Sequence, residues 1–187
     1  MRIISGKFKG KKILEPLDKS TRPLKDLVKE SIFNIIEHSK KFSINLNESN
    51  ILDLFSGVGS FGLETLSRGA NHVTFVENYQ NVLSILKKNI HDFKVSKNCM
   101  IFEKNIFEHL EFDNLNKSYD IIFLDPPFKI KNIDKLLSKI SKSKVLNKKG
   151  IIILHRHSKE KNELPVEFRL LDEKVYGKSK IIFGNYL

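Results

Sequence analysis

From Asn50 onward, short apolar runs alternate with amphipathic stretches, and this alternation constrains the fold more than any other feature. The runs are Ile51–Phe55, His72–Glu77, Met100–Glu103, Tyr119–Leu124 and Ile151–His155, with helical spacing near 60–68, 79–92 and 131–141. Short strands separated by helices predict a parallel sheet covered on both faces. The tail breaks the rhythm: Phe168–Val175 and Lys180–Tyr186, split by Gly177, predict a closing antiparallel pair. Upstream, Ile3-Ile4 and Ile13-Leu14 flank Gly6 and Gly10, which predicts a small hairpin over residues 2–14. Thr21 is placed to cap a helix carrying Leu24, Leu27, Val28, Ile32, Ile35 and Ile36 on one face, with Pro23 in its first turn. Residues 43–50, polar and Asn-rich, read as a joint. The expected architecture is α/β: a doubly wound, Rossmann-like, mostly parallel sheet over 46–187, behind an N-terminal extension over 1–45.

A chain of 187 residues with 40% hydrophobic side chains has enough apolar surface for a sizeable core, which excludes disorder as its main state. Cys99 stands alone, so there is no disulfide framework and a reducing, cytoplasmic compartment is expected. Apolar runs such as Ile121–Leu124 are too short to span a bilayer, and the opening MRIISGKFKGKKIL lacks the apolar core of a signal peptide. The net charge of +11 rests on 28 Lys and only 5 Arg, a bias that codon composition alone produces, so distribution is more informative than the total. Residues 1–12 carry Arg2, Lys7, Lys9, Lys11 and Lys12 without an acid, and residues 129–150 carry eight Lys, Lys129 and Lys131 among them, against Asp134. Two such clusters fit a polyanion partner; a merely solvated Lys-rich surface is the competing explanation.

The first strand runs into Gly57-Val58-Gly59-Ser60-Phe61-Gly62, a G-x-G-x-x-G at a strand-to-helix turn. Glycines there admit a ligand close to the backbone, and the helix start offers unpaired N–H donors. Glu77 ends the next strand, 20 residues after Gly57, where a carboxylate accepts ribose hydroxyls. Asp53, inside the first strand, suits a cationic ligand better than a pyrophosphate, or else holds loop amides. S-adenosylmethionine, with an amino group, a sulfonium and a ribose but no phosphate, satisfies that electrostatics. Candidate cofactor contacts are therefore Asp53, Phe55, Ser56, Gly57 and Gly59 at the turn, Glu77 and Asn78 after the second strand, and Asn105 and Ile106 after the third, where Asn105 would meet an adenine edge.

Asp125-Pro126-Pro127-Phe128 follows the fourth strand at the edge where open α/β sheets bind ligands. Two prolines remove N–H donors, so the loop presents acceptors, the Asp125 carboxylate and the Pro126 carbonyl, suited to an exocyclic NH2. Phe128 supplies a face on which a planar ring stacks.

With these residues the chain resembles class I S-adenosylmethionine-dependent methyltransferases bearing the [D/N]PP[Y/F] signature of amine methylation. Arg2-Ile3-Ile4-x-Gly6-Lys7-x-x-Gly10, Thr21-Arg22-Pro23, Ser31–Ile36, Leu52–Gly59, Leu66–Ala70, Phe75–Glu77 and Phe123–Phe128 more narrowly resemble the bacterial ribosomal RNA small-subunit methyltransferase D family. That resemblance implies N2-methylation of one guanine of 16S rRNA in the small subunit, guanine 966 in the usual bacterial numbering. It implies S-adenosylmethionine as cofactor, Asp125, Pro126, Pro127 and Phe128 as catalytic residues, and a monomer without a membrane partner. Arg22 joins Lys7, Lys9, Lys11, Lys12, Lys129 and Lys131 as a candidate RNA contact. The sequence departs from the family after the fifth strand, where Leu154-His155-Arg156-His157 replaces a common Glu. His155 and His157 would share a strand face, but two ligands make an incomplete metal site, so no metal is expected there and a basic, substrate-facing edge is. Three rivals stay open: an amine methyltransferase acting on another base or a protein glutamine, a nicotinamide oxidoreductase, and a non-catalytic RNA-binding module.

Overall fold

The computed structural model describes residues 1–16, 24–108, 111–115, 117–160 and 163–186. These residues form helices α1 (Asp26–His38), α2 (Ser60–Ser67), α3 (Gln80–Asp92) and α4 (Ile133–Ser143), and strands β1 (Asn50–Leu54), β2 (His72–Val76), β3 (Cys99–Phe102), β4 (Tyr119–Leu124), β5 (Leu146–His157), β6 (Phe168–Tyr176) and β7 (Ser179–Tyr186). The sheet order is β3-β2-β1-β4-β5-β7-β6. β1 through β5 pair in parallel, and β7 runs antiparallel to both β5 and β6. The chain winds outward from β1 to β3, then returns to lay β4 against the other side of β1. That reversal opens a crevice beyond the carboxyl ends of β1 and β4.

Alternation along each central strand divides the core in two. Ile51, Val73, Phe75, Ile121, Phe123, Ile151 and Ile153 face α1, α2 and α3, whereas Leu52, Leu54, Val76, Ile122, Leu124, Ile152 and Leu154 face α4 and the 3₁₀ turn Phe112–Leu115. β5 is longer than its apolar run predicts, because Leu146 already pairs with Tyr119 ahead of an irregularity in the β4 register.

All of α2 is buried, including Ser60, Glu64, Thr65 and Ser67, because the N-terminal extension covers its outer side. The predicted hairpin over 2–14 is present as an antiparallel bridge, Arg2 with Lys12, and three backbone bonds, Ile3 N–H to Lys11 O, Gly10 N–H to Ile3 O and Ile13 N–H to Met1 O, while side chains of α2 and α3 take up further backbone groups. Ile4 and Ser5 N–H donate to the Glu64 carboxylate, Phe8 N–H to Ser67 Oγ, and Leu14 N–H to Asn89 Oδ1. Thr21, Arg22 and Pro23 lie outside the described residues. The N-cap of α1 is Lys25, without a side-chain cap bond, so the helix begins later than the expected Thr21 cap. No helix among the described residues is long and apolar enough to cross a membrane.

Candidate active site

The turn after β1 needs left-handed backbone in quick succession: Phe55 has φ 60°, Gly57 φ 54° and Gly59 φ 85°. For Phe55 that conformation is strained and persists because the surrounding turn holds it. A Cβ on Gly57 would meet nothing within 4 Å, so this glycine serves backbone conformation and borders open space. A Cβ on Gly62 would lie 2.4 Å from Phe75 Cε1, so the last glycine of the motif serves helix-to-strand packing.

Glu77 organises this turn from the neighbouring strand. Gly57 N–H donates to its Oε2 at 2.8 Å, and the Asn78 and Tyr79 N–H groups donate to Oε1 at 2.9 Å each. Asp53 does the same from within β1: Gly62 N–H donates to its Oδ2 at 3.0 Å, while its side chain also borders the cleft. Burial holds the Asp53 carboxyl well above the usual carboxylate range; the Gly62 hydrogen bond opposes that shift, and the nearby Asp125 and Glu77 carboxylates add to it. Asp53 thus holds a loop amide and borders the cleft at once.

A cleft of about 810 Å³ brings these residues to one place. Its walls include all nine candidate cofactor contacts except Gly59, which sits beneath the turn against Leu86. Asn105 Oδ1 accepts the Phe107 N–H, which fixes the amide at the cleft wall. On the opposite wall stand Asp125, Pro126, Pro127 and Phe128, with Phe61 and Phe123 stacked at 3.9 Å between centroids below. Met1, Pro16 and Leu24 also line it, so the extension contributes to the cleft, which the motifs alone did not show.

The parallel register pairs Leu124 with Leu154, which places the next residues, Asp125 and His155, side by side on one face. His155 Nδ1 lies 2.8 Å from Asp125 Oδ1, and its Nε2 lies 2.9 Å from Ser179 Oγ. The expectation of a basic, substrate-facing edge is thus corrected. His155 and Arg156 are buried, and Arg156 faces protein carbonyls: its guanidinium donates to Ile130 O at 2.8 Å and reaches Pro127 O and Phe128 O at 3.4 and 3.5 Å, while pairing with Glu160. Phe128 meets His157 edge-on at 5.1 Å and His155 at 6.0 Å. The sequence marks these residues as a departure from the family but does not show their roles. A signal was present, since two histidines and an arginine at a strand end demand partners. Among the described residues no group of three metal-ligating side chains occurs.

The two Lys clusters are not equivalent. Lys129 borders the cleft, and Lys131 lies beside it with Phe107 and Asn132. Lys7 N–H donates to Ser67 O at the end of α2, and Lys11 Nζ donates to Asp92 O at the end of α3 while lying 4.3 Å over the Phe93 ring. The tip carrying Lys7, Lys9 and Lys11 is therefore beside the helix ends remote from the cleft, about one α2 length (~12 Å) away, whereas Lys12 pairs with Arg2 at the base, next to Met1 of the cleft wall. Arg22 lies outside the described residues.

A doubly wound sheet with a glycine turn after its first strand and an acceptor loop after its fourth defines a class I, Rossmann-like methyltransferase. A candidate methyltransferase of known structure from Escherichia coli superposes with a TM-score of 0.80 at 26% identity, covering 100% of this chain and 97% of that one. The family described as conserved hypothetical protein 95 matches residues 1–185. Ribosomal RNA small subunit methyltransferase D of Haemophilus influenzae is 31% identical over 178 residues, 95% of this chain and 89% of the relative. A candidate rRNA methyltransferase of Bacillus subtilis is 34% identical over 179 residues, covering 95% and 94% respectively. The chain belongs to the ribosomal RNA small subunit methyltransferase D family.

Proposed function

We propose that this protein transfers a methyl group from S-adenosylmethionine to the exocyclic N2 of a guanine in 16S rRNA, at guanine 966 of the small subunit in the usual bacterial numbering. The observation that carries this reading is the meeting, in one cleft, of a glycine turn with two flanking carboxylates and an acceptor loop across the switch point. S-adenosylmethionine supplies an electrophilic methyl on a sulfonium. The protein's share begins with Asp53, whose buried carboxyl ionises more readily beside a cationic amino group and so favours such a ligand over a pyrophosphate. Glu77, already aligned by three backbone amides, receives the ribose hydroxyls, and the open space at Gly57 admits the ligand to the turn.

On the other wall, the Asp125 carboxylate and the Pro126 carbonyl accept the two N–H groups of the substrate amine. The amine lone pair is delocalised into the guanine ring, so acceptors that favour a pyramidal nitrogen lower the barrier. Methylation leaves nitrogen with one surplus proton, which passes to Asp125. Phe128, braced edge-on by His157, holds the flipped-out base in line. Lys129 and Lys131 meet phosphates near the cleft and Lys7 and Lys9 meet them further out.

The test is methyl transfer to small-subunit particles isolated from a strain lacking the activity, with the product nucleoside identified by mass. Asp125→Ala should lower turnover by about 10²–10³, with S-adenosylhomocysteine binding little changed. Wild-type turnover by Asp125→Ala, or methylation of another base only, would sink the reading.

A further inference from the structure

The end of β5 carries two buried polar side chains, His155 and Arg156, that no part of the cofactor site uses, and both act on the acceptor loop. We infer that His155 is a positioning residue for methyl transfer: its imidazole holds the Asp125 carboxylate toward the substrate amine through Nδ1, and Ser179 anchors the opposite ring nitrogen. This inference rests on the amine-methylation reading above.

The geometry follows from strand register. Leu154 pairs with Leu124 in parallel and His155 pairs with Ile181 in antiparallel fashion, so the imidazole is set between the end of β4 and the start of β7. It is 2% exposed, and both ring nitrogens have oxygen neighbours. An ionised carboxylate only accepts, so Nδ1 must carry the proton toward Asp125 Oδ1. In the neutral ring Nε2 is then the acceptor, and the Ser179 hydroxyl donates to it. A hydroxyl both donates and accepts, so Ser179 tolerates either tautomer but completes this one. Among the described residues, the charged and titratable groups around the ring include Asp125 at the end of β4, Arg156 and His157 on β5, and Glu160 beyond it paired to Arg156. Phe128 lies edge-on to the ring at 6.0 Å.

The consequence is preorganisation. A carboxylate at the end of a strand has two side-chain torsions to fix before it can meet an amine. Pinning Oδ1 fixes both within the folded protein, ahead of substrate. His155 keeps its Nδ1 proton throughout; the surplus proton from nitrogen goes to Asp125 and then to solvent. A histidine that merely fills the core would share the burial, but nothing about the turnover would depend on which nitrogen donates.

Two amide substitutions separate these roles, because an Asn amide nitrogen falls near the Nδ1 position and a Gln amide nitrogen near Nε2. His155→Asn should retain kcat within about tenfold of wild type, whereas His155→Gln should lose about 10², the scale of a misplaced catalytic group. KM for the small subunit and S-adenosylhomocysteine affinity should stay unchanged in both. Nitrogen-detected NMR of the unsubstituted, free protein should show His155 in the Nδ1–H tautomer, and Asp125→Ala should abolish that preference. The Nε2–H tautomer in the wild-type protein overturns the inference without any variant needing to fold. Equal turnover by His155→Asn and His155→Gln, with wild type active, overturns it while leaving the methylation reading in place. A wild-type protein that methylates no RNA overturns the methylation reading itself.

Discussion

Lys29 Nζ lies 3.4 Å from Glu64 Oε2 with both side chains fully buried between α1 and α2. Lys29 also donates to Arg2 O and Ser60 Oγ, and Glu64 accepts from Ile4 N–H, Ser5 N–H and Arg68 Nε. One ion pair thus fastens the extension, α1 and α2 together, and through Met1 it sets one wall of the cleft.

Removing one partner strands the other as a buried charge. Glu64→Leu should cost about 3–5 kcal/mol, read from the urea midpoint, and Lys29→Met with Glu64→Leu together should recover much of that loss. Burial lowers the Lys29 pKa, against the pull of Glu64, from an ordinary value of 10.5. Below its folded value Lys29 is charged in both states and its cost is constant. Between that value and 10.5 the unfolded chain holds the proton more often, so stability rises with pH from this group. The stability difference between wild type and Lys29→Met should shift in favour of wild type over that window; a flat difference would contradict the buried-lysine assignment.

Asp53 should trade stability for binding. Its carboxyl is raised by burial, so the folded state holds a proton that the unfolded state has released at pH above the ordinary carboxylate range. Wild type therefore loses stability relative to Asp53→Asn as pH climbs from that range to the raised value, and the loss levels off beyond it. Asp53→Asn keeps an oxygen for the Gly62 amide. In thermal melts at neutral pH the variant should be the more stable protein, and in calorimetry the weaker binder of S-adenosylmethionine. Equal binding would remove the cationic-ligand role.

Gly62→Ala tests packing apart from chemistry. The added methyl would sit 2.4 Å from Phe75 Cε1 and 2.7 Å from Val73 Cγ1, both in the core. Overpacking of this kind costs about 1–3 kcal/mol, visible as a lowered urea midpoint. An unchanged midpoint would mean that α2 shifts without cost.

The Lys clusters should separate in their salt dependence. Neutralising Lys129 and Lys131 should flatten the log–log slope of RNA affinity by up to about 0.7–0.9 for each phosphate left without its cation and lower turnover at subsaturating RNA. Neutralising Lys7 and Lys9 should change the slope without altering kcat, because the tip stands away from the cleft. Lys11→Gln should lower stability instead, since that lysine satisfies the end of α3. Slopes indifferent to both clusters would leave codon bias as the source of the charge.

Much of this protein was legible because its signals are local. Alternating runs specify strands, the Gly57–Gly62 spacing specifies a strand-to-helix turn, and Pro126-Pro127 specifies a loop of acceptors, each through the conformations a few adjacent residues allow. The sequence alone therefore determined the doubly wound fold, the two motifs and the carboxylates that flank them. It did not determine that Glu77 would hold the Gly57 amide, that Glu64 would staple the extension, or that His155 would turn inward to Asp125. His155 and Asp125 are 30 residues apart, and a one-residue slip between β4 and β5 would send that ring to the opposite face. Register across such a separation is set by how Ile121, Phe123, Ile151 and Ile153 pack beneath α1 and α2 on one side and how Leu124 and Leu154 pack against α4 on the other. Only the tertiary structure makes that choice, because the energy that fixes it is shared over the whole core and belongs to no segment read by itself.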